Sequence, residues 1–267
     1  MLDAVKLYIA FAKVTFISQL EYPMSYFLRT ASKIILWVSG FATIAIVLGR
    51  FRSMGGWDLY QVLFIYAMNH LAYAIGATFI NNAFDKLSRN IMAGEFDSIL
   101  TKPVNPLTYF ICMHVSAGYT SNYALGIGVM IYSIVKMNIR FTIGDILLLI
   151  FMVLCASLLM GSLFAFFSIP QFWLLRNTSL KRLFFSDMKD FVNYPISIYT
   201  KGIQFVLTFV MPYAFISYYP TTLLFNPGGA LFSPALAYGT PVIAVIVALL
   251  TYGFWLLGIN SYQSTGS

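Results

Sequence analysis

GDILLLIFMVLCASLLMGSLFAFFS, residues 144–168, holds one charge in 25 positions, Asp145 at its mouth. As a helix at about 1.5 Å per residue it covers about 37 Å, more than the ~30 Å of hydrocarbon in a bilayer. Working outward, five further runs read the same way: 31–48 (ASKIILWVSGFATIAIVL), 59–80, 107–133, 196–218 and 240–258. The composition agrees, at 60% hydrophobic and 9% charged. A soluble domain of this size cannot hide so much apolar surface from water. The expectation is an all-α integral membrane protein, one domain over residues 1–267, with six transmembrane helices.

An even number of spans puts both termini on one side. Twelve Lys and Arg fall on the terminal side (Lys6, Lys13, Arg29, Lys33, Lys86, Arg89, Lys102, Arg176, Lys181, Arg182, Lys189, Lys201), against Arg50, Arg52, Lys136 and Arg140 opposite. The basic excess assigns the termini and the 81–106 segment to the cytoplasm. The net charge of +7 is explained the same way, as basic anchoring against anionic lipid rather than nucleic-acid binding.

Three segments are expected not to cross. In residues 1–22, Asp3, Lys6, Ala10 and Lys13 make a narrow polar face, the pattern of a helix lying in the interface. In 178–193, Leu180, Leu183, Phe184, Met188, Phe191 and Val192 oppose Lys181, Arg182, Asp187, Lys189 and Asp190, which predicts a second cytoplasmic amphipathic helix. Residues 216–239 are apolar and uncharged, yet hold Pro220, Pro227, Gly228, Gly229 and Pro234. Broken backbone at membrane depth needs shielding by protein or a wet cavity, so re-entrant short helices are expected on the outer face, between spans five and six.

Signs of bond-making chemistry are few. There is no G-x-x-x-x-G-K-[ST] phosphate loop, no HExxH or CxxC, and no G-x-S-x-G elbow. Cys112 and Cys155 lie inside apolar runs. No catalytic, cofactor or metal residue is expected, and no carboxylate is expected within a span, so energy has to come from a partner. The polar residues within spans form stripes: Tyr66, Asn69 and Tyr73 with His70 in span two, and His114, Gly118 and Asn122 in span three. They read either as hydrogen bonds that hold helices together or as a substrate path facing a central cavity. His70 and His114 are also the visible candidates for the alternative of a membrane-embedded enzyme acting on lipid-like substrates.

The 81–106 segment gathers Asp85, Lys86, Arg89, Glu95, Asp97 and Lys102 in a chain with 25 charged residues. It reaches Gly94, then GEFDSIL, then Pro103 and Pro106. A plain connection needs only a few residues, so the pattern reads as a compact helix–turn–helix docking knob or as an interfacial helix that only anchors the bundle. Phe96, Ile99 and Leu100 would fill a partner's pocket, with Glu95, Asp97 and Lys102 at the rim.

GEFDSILTKPVNPL resembles the G-x-F-D-x-x-L-x-K/R-P-V segment of bacterial type-2 (exporter-like) ABC transporter permeases. YPISIY and PYAFISYYPTTLLF are similar to a six-span subfamily of these, and the likeness extends over essentially the whole chain. The resemblance implies two permease subunits, identical or paralogous, with two copies of a separate ATPase that binds the ATP and magnesium. It implies a bacterial plasma-membrane location and a coupling helix at Gly94–Lys102. The 178–193 helix would be a secondary ATPase contact. An extracellular gate is implied near Pro220, Pro227, Gly228, Gly229 and Pro234. A vitamin-importer scaffold fits less well, since its Ala/Arg coupling motifs are not found here.

Overall fold

The computed structural model describes residues 8–15, 17, 23–50, 53–116, 118–174, 181–225 and 229–263. Four helices are long and apolar enough to cross a membrane: α1 (Pro23–Arg50), α2 (Leu59–Met92), α6 (Ile143–Phe172) and α10 (Thr240–Asn260). Between α2 and α6 lie α3 (Glu95–Leu100), α4 (Pro106–Met113) and α5 (Thr120–Lys136). After α6 come α7, made of a π-helical turn Arg182–Asp187 and Met188–Phe191, then α8 (Lys201–Val210) and α9 (Ala214–Phe225). Short 3-10 turns at Ile196–Ile198 and Pro234–Tyr238 complete the described residues, which contain no sheet.

The starts of the long helices follow local chemistry. Asp58 accepts from the Gln61 backbone N–H at 2.9 Å, and Gln61 accepts in return from the Asp58 N–H. Thr142 and Asp145 form the same reciprocal capping box at α6. Asn105 caps α4 ahead of Pro106, whose missing N–H needs no partner at the first helical position.

α2 is the central post. Of its most apolar window 72% is buried, against 50% for α6, 22% for α10 and 11% for α1. α1 therefore gives most of its surface, including Ile35, Leu36 and Ile46, to the surroundings. α6 lies against α2 where a Cβ on Gly76 would stand 3.1 Å from the Ser157 carbonyl and 3.2 Å from the Gly161 N. Only small residues let two backbones approach so closely.

The layout departs from expectation in four places. Span two does not stop at residue 80; the helix runs on to Met92, about 50 Å in all at 1.5 Å per residue, through a π-helical turn at Ala77–Asn81. Span three is not one helix over 107–133, because the chain breaks between Met113 and Thr120. The His114, Gly118, Asn122 stripe therefore does not lie along one helix.

The third departure is span five. Residues 196–218 hold a 3-10 turn, then α8 and the start of α9, which are bent by 101° from one another. The bent pair therefore comes one element earlier than the re-entrant helices expected at 216–239. Pro220 does not break α9 but sits inside it. Hydroxyls next to it bond back along the helix: Thr221 donates to the Ser217 carbonyl at 2.6 Å and Thr222 to the Tyr218 carbonyl at 2.8 Å.

Fourth, the 178–193 segment does not lie flat at one end of the bundle. Its described part, with the residues that follow, runs antiparallel to α2. Lys181 meets Asp85, Lys189 lies over Tyr73, Asn193 bonds Asn69, and Ser197 bonds the Gly55 carbonyl before α2 begins. The segment thus covers the length of α2 from its C-terminal third to its N-terminal end. Of the N-terminal segment, residues 8–15 are helical, with Tyr8 stacked on Phe79 and Phe11 edge-on to Tyr109. Asp3 and Lys6 lie outside the described residues.

Candidate functional site: a polar track along α2

The knob is built from within. Gly94 takes φ +69°, a left-handed conformation that favours glycine, and so turns the chain from α2 into α3. Phe96 and Ile99 are fully buried, but in this chain's own core. Phe96 lies edge-on to Phe110, Phe172, Trp255 and Tyr262, at 5.1 to 6.1 Å between ring centres. The expectation that Phe96 and Ile99 fill a partner's pocket is therefore corrected; Leu100 too is partly buried against that core. Burial first, then the charge of Asp97, pushes the Tyr262 phenol up to about 12. What the knob shows outward is Met92, Ala93, Glu95, Ser98, Thr101, Lys102, Pro103 and Val104.

Above the knob, α2 and the 181–198 segment face each other with polar side chains. Asn69, 1% exposed, donates to the Asn193 side-chain carbonyl at 2.6 Å and to the Lys189 carbonyl at 3.3 Å. Ten residues beyond Leu59, it lies about 15 Å along α2. Lys189 and Asp190 pair at 3.0 Å beside it. Asp190, its side chain 64% exposed, is brought to this contact by a segment that hydropathy does not mark.

Two cavities flank this contact, named inner for the one nearer the knob and outer for the one nearer Leu59. The inner one, about 310 Å³, is lined by Tyr73, Asn81, Asn82, Asp85 and Tyr119 on one side and by Phe164, Lys181, Phe185, Ser186, Lys189 and Asp190 on the other. The outer one, about 300 Å³, lies between Gly55, Gly56, Trp57 and Gln61, with Ser197, Tyr218, Gly229 and Leu231 opposite. Both touch the 181–198 segment.

Of the six residues expected to face a central cavity, Tyr73 lines the inner one. Tyr66 and His70 instead pack against α1: His70 meets Trp37 edge-on at 3.3 Å and Tyr66 meets Phe41 at 4.5 Å. Asn69 belongs to the contact between the cavities. Asn122 is buried, its Oδ1 without a partner among the described residues. His114 lies at the α4–α5 break, its Nε2 3.2 Å from the Asn90 amide and its carbonyl accepting from Asn82 at 2.5 Å. The two histidines thus sit in unrelated surroundings. Of the expected outer gate, Gly229 lines the outer cavity, Pro234 opens a 3-10 turn, and Pro227 and Gly228 lie outside the described residues. Sequence reasoning missed Asn81, Asn193 and Ser197 as site residues; the paired asparagines at 81–82, at the end of an apolar run, were the signal available.

Comparison with known families matches residues 34–266 to the ABC-2 family transporter proteins. This chain belongs to the ABC-2 transporter family. Searches of curated proteins and of solved structures return no match. As an ABC-2 protein the chain is an integral membrane permease component of an ABC transporter, a class that works with ATPase subunits.

Proposed function

We propose that this chain is the permease subunit of an ATP-driven exporter in a bacterial plasma membrane. It pairs with a second permease, identical or paralogous, and with two copies of a separate ATPase that binds ATP and magnesium. Six crossings are counted as α1, α2, α4–α5, α6, the 181–198 segment and α10, with α8–α9 dipping from the outside. Both termini are then cytoplasmic. This layout moves Lys201 to the outer side and Lys189 to the interior, so the basic excess is ten against five and keeps its direction.

The observation that carries this reading is the knob. Its apolar residues are spent on holding α3 rigidly to α2, α4 and α10, so a force on its outer face is passed to the bundle. That outer face offers Met92 and Val104, 50% and 42% exposed, with Glu95 and Lys102 around them. Cargo moves along the track between the two cavities, and the Asn69–Asn193 contact closes it.

The test is co-expression with the ATPase encoded beside the gene. The triple variant Met92→Asp, Glu95→Arg, Val104→Asp is expected to lose the ATPase on purification while keeping its own yield and elution volume. An ATPase that stays bound to this variant, or a purified chain that hydrolyses ATP alone, overturns the reading.

A further inference from the structure

We propose that the inner cavity binds a phosphate-bearing anionic group, held by Lys181, Lys189 and Asn81. The proposal rests on the permease reading only for the role of that group as cargo; its test asks about binding alone.

Asn81 is 4% exposed, lines the cavity, and has no partner for either Nδ2 or Oδ1 among the described residues. A buried amide left unpaired costs stability and calls for an explanation. Its position has one in the backbone. Asn81 closes the π-helical turn Ala77–Asn81, and Phe185 and Ser186 lie in the π-helical turn Arg182–Asp187 across the cavity. Single π turns inside α-helices are costly and recur at functional sites; here two face one space.

The charges favour an acceptor-rich guest. Lys181 and Lys189 keep 16% and 20% of their side chains exposed, whereas their partners Asp85 and Asp190 are each 64% exposed. The ammonium groups are sheltered at the cavity and the counter-ions stand at the water's edge. Each ammonium has three N–H groups, and each is bound to one carboxylate oxygen. Exposed pairs of this kind are weak and displaceable. A phosphate brings more acceptor oxygens than either carboxylate, and both lysines and the Asn81 amide line this one cavity. Lys33, whose Nζ lies over the Tyr119 ring, adds positive charge behind the cavity.

Size and shape agree. From Tyr73 to Asp85 the cavity extends over about 18 Å of α2. Its 310 Å³ would hold roughly ten waters, enough for a headgroup. The rings of Tyr73, Tyr119, Phe164 and Phe185 offer an apolar side to whatever carries the phosphate.

The experiment titrates the purified full-length chain with three probes: inorganic phosphate, short-chain phosphatidylglycerol, and short-chain diacylglycerol as the phosphate-free control. Saturable binding of a phosphate probe, with diacylglycerol at least tenfold weaker, is expected. Lys181→Gln/Lys189→Gln should weaken it at least tenfold. Asn81→Leu should weaken it at least threefold while leaving the thermal midpoint unchanged or raised, since it removes an unpaired buried amide. Binding of phosphatidylglycerol alone identifies a lipid headgroup; equal competition by inorganic phosphate identifies a soluble phosphate compound. No saturable phosphate binding, or affinities unchanged in both variants, overturns the proposal. So does an Asn81→Leu variant that loses stability and keeps its affinity. A chain that docks its ATPase yet binds neither phosphate probe leaves the permease reading standing.

Discussion

Phe96 and Asn193 show how one side chain can decide a region. Phe96 has no exposed surface and joins four aromatic neighbours. Phe96→Ala is expected to destabilise the protein by about 3–5 kcal/mol, read as a lower thermal midpoint and yield, because it opens a cavity where α2, α4, α6 and α10 meet. Glu95→Arg, one position away and exposed, should leave stability unchanged within about 0.5 kcal/mol and affect only partner binding. Asn193→Ala leaves the Asn69 amide buried without its best partner and is expected to cost about 1–2 kcal/mol. Asn69→Leu/Asn193→Leu, which removes both amides, should cost less than the sum of the two single leucine changes in a double-mutant thermal series. Sequence alone marked Phe96 as important through its place in GEFD, but it could not tell an anchor inside the chain from one offered to a partner. Both uses call for an apolar residue among charges on a short helix.

At the scale of elements, apolar length made α1, α2, α6 and α10 legible, since each has a run that water excludes. The 181–198 segment escaped for a physical reason. A helix with one charged face looks the same in sequence whether that face meets bulk water at an interface or a wet cavity inside a bundle. The break in span three has no proline to announce it, and Pro220 sits inside a helix that continues through it. The crossing is testable by labelling. In a background with Cys112 and Cys155 replaced by serine, Lys181→Cys should react with a membrane-impermeant maleimide from the cytoplasmic side only. Ser197→Cys and Lys201→Cys should react from the outer side only. If all three label from one side, the segment does not cross.

The whole molecule joins the knob to the track through α2. Asn69→Cys and Asn193→Cys together, at two side chains that meet through a hydrogen bond of 2.6 Å, should be joined through disulfides by a short bis-methanethiosulfonate cross-linker. Fixing the two elements there is expected to stop cargo movement in reconstituted vesicles while the ATPase stays bound, and reduction should restore movement. Transport that continues with the cross-link formed would show that the track does not open at this point. The family and the all-helical membrane class could be read early because they rest on composition and a local motif; which faces meet across the bundle depends on tertiary pairing that periodicity does not encode.

The close approach of Gly76 to Ser157 and Gly161 has a mechanical meaning. Gly76 lies 17 residues from Leu59 and 16 from Met92, so the helix extends about 25 Å to either side of that crossing. With the two backbones in contact there, the crossing divides α2 into arms of nearly equal reach. A tilt of α2 about that point would carry the knob and the end by Trp57 in opposite directions.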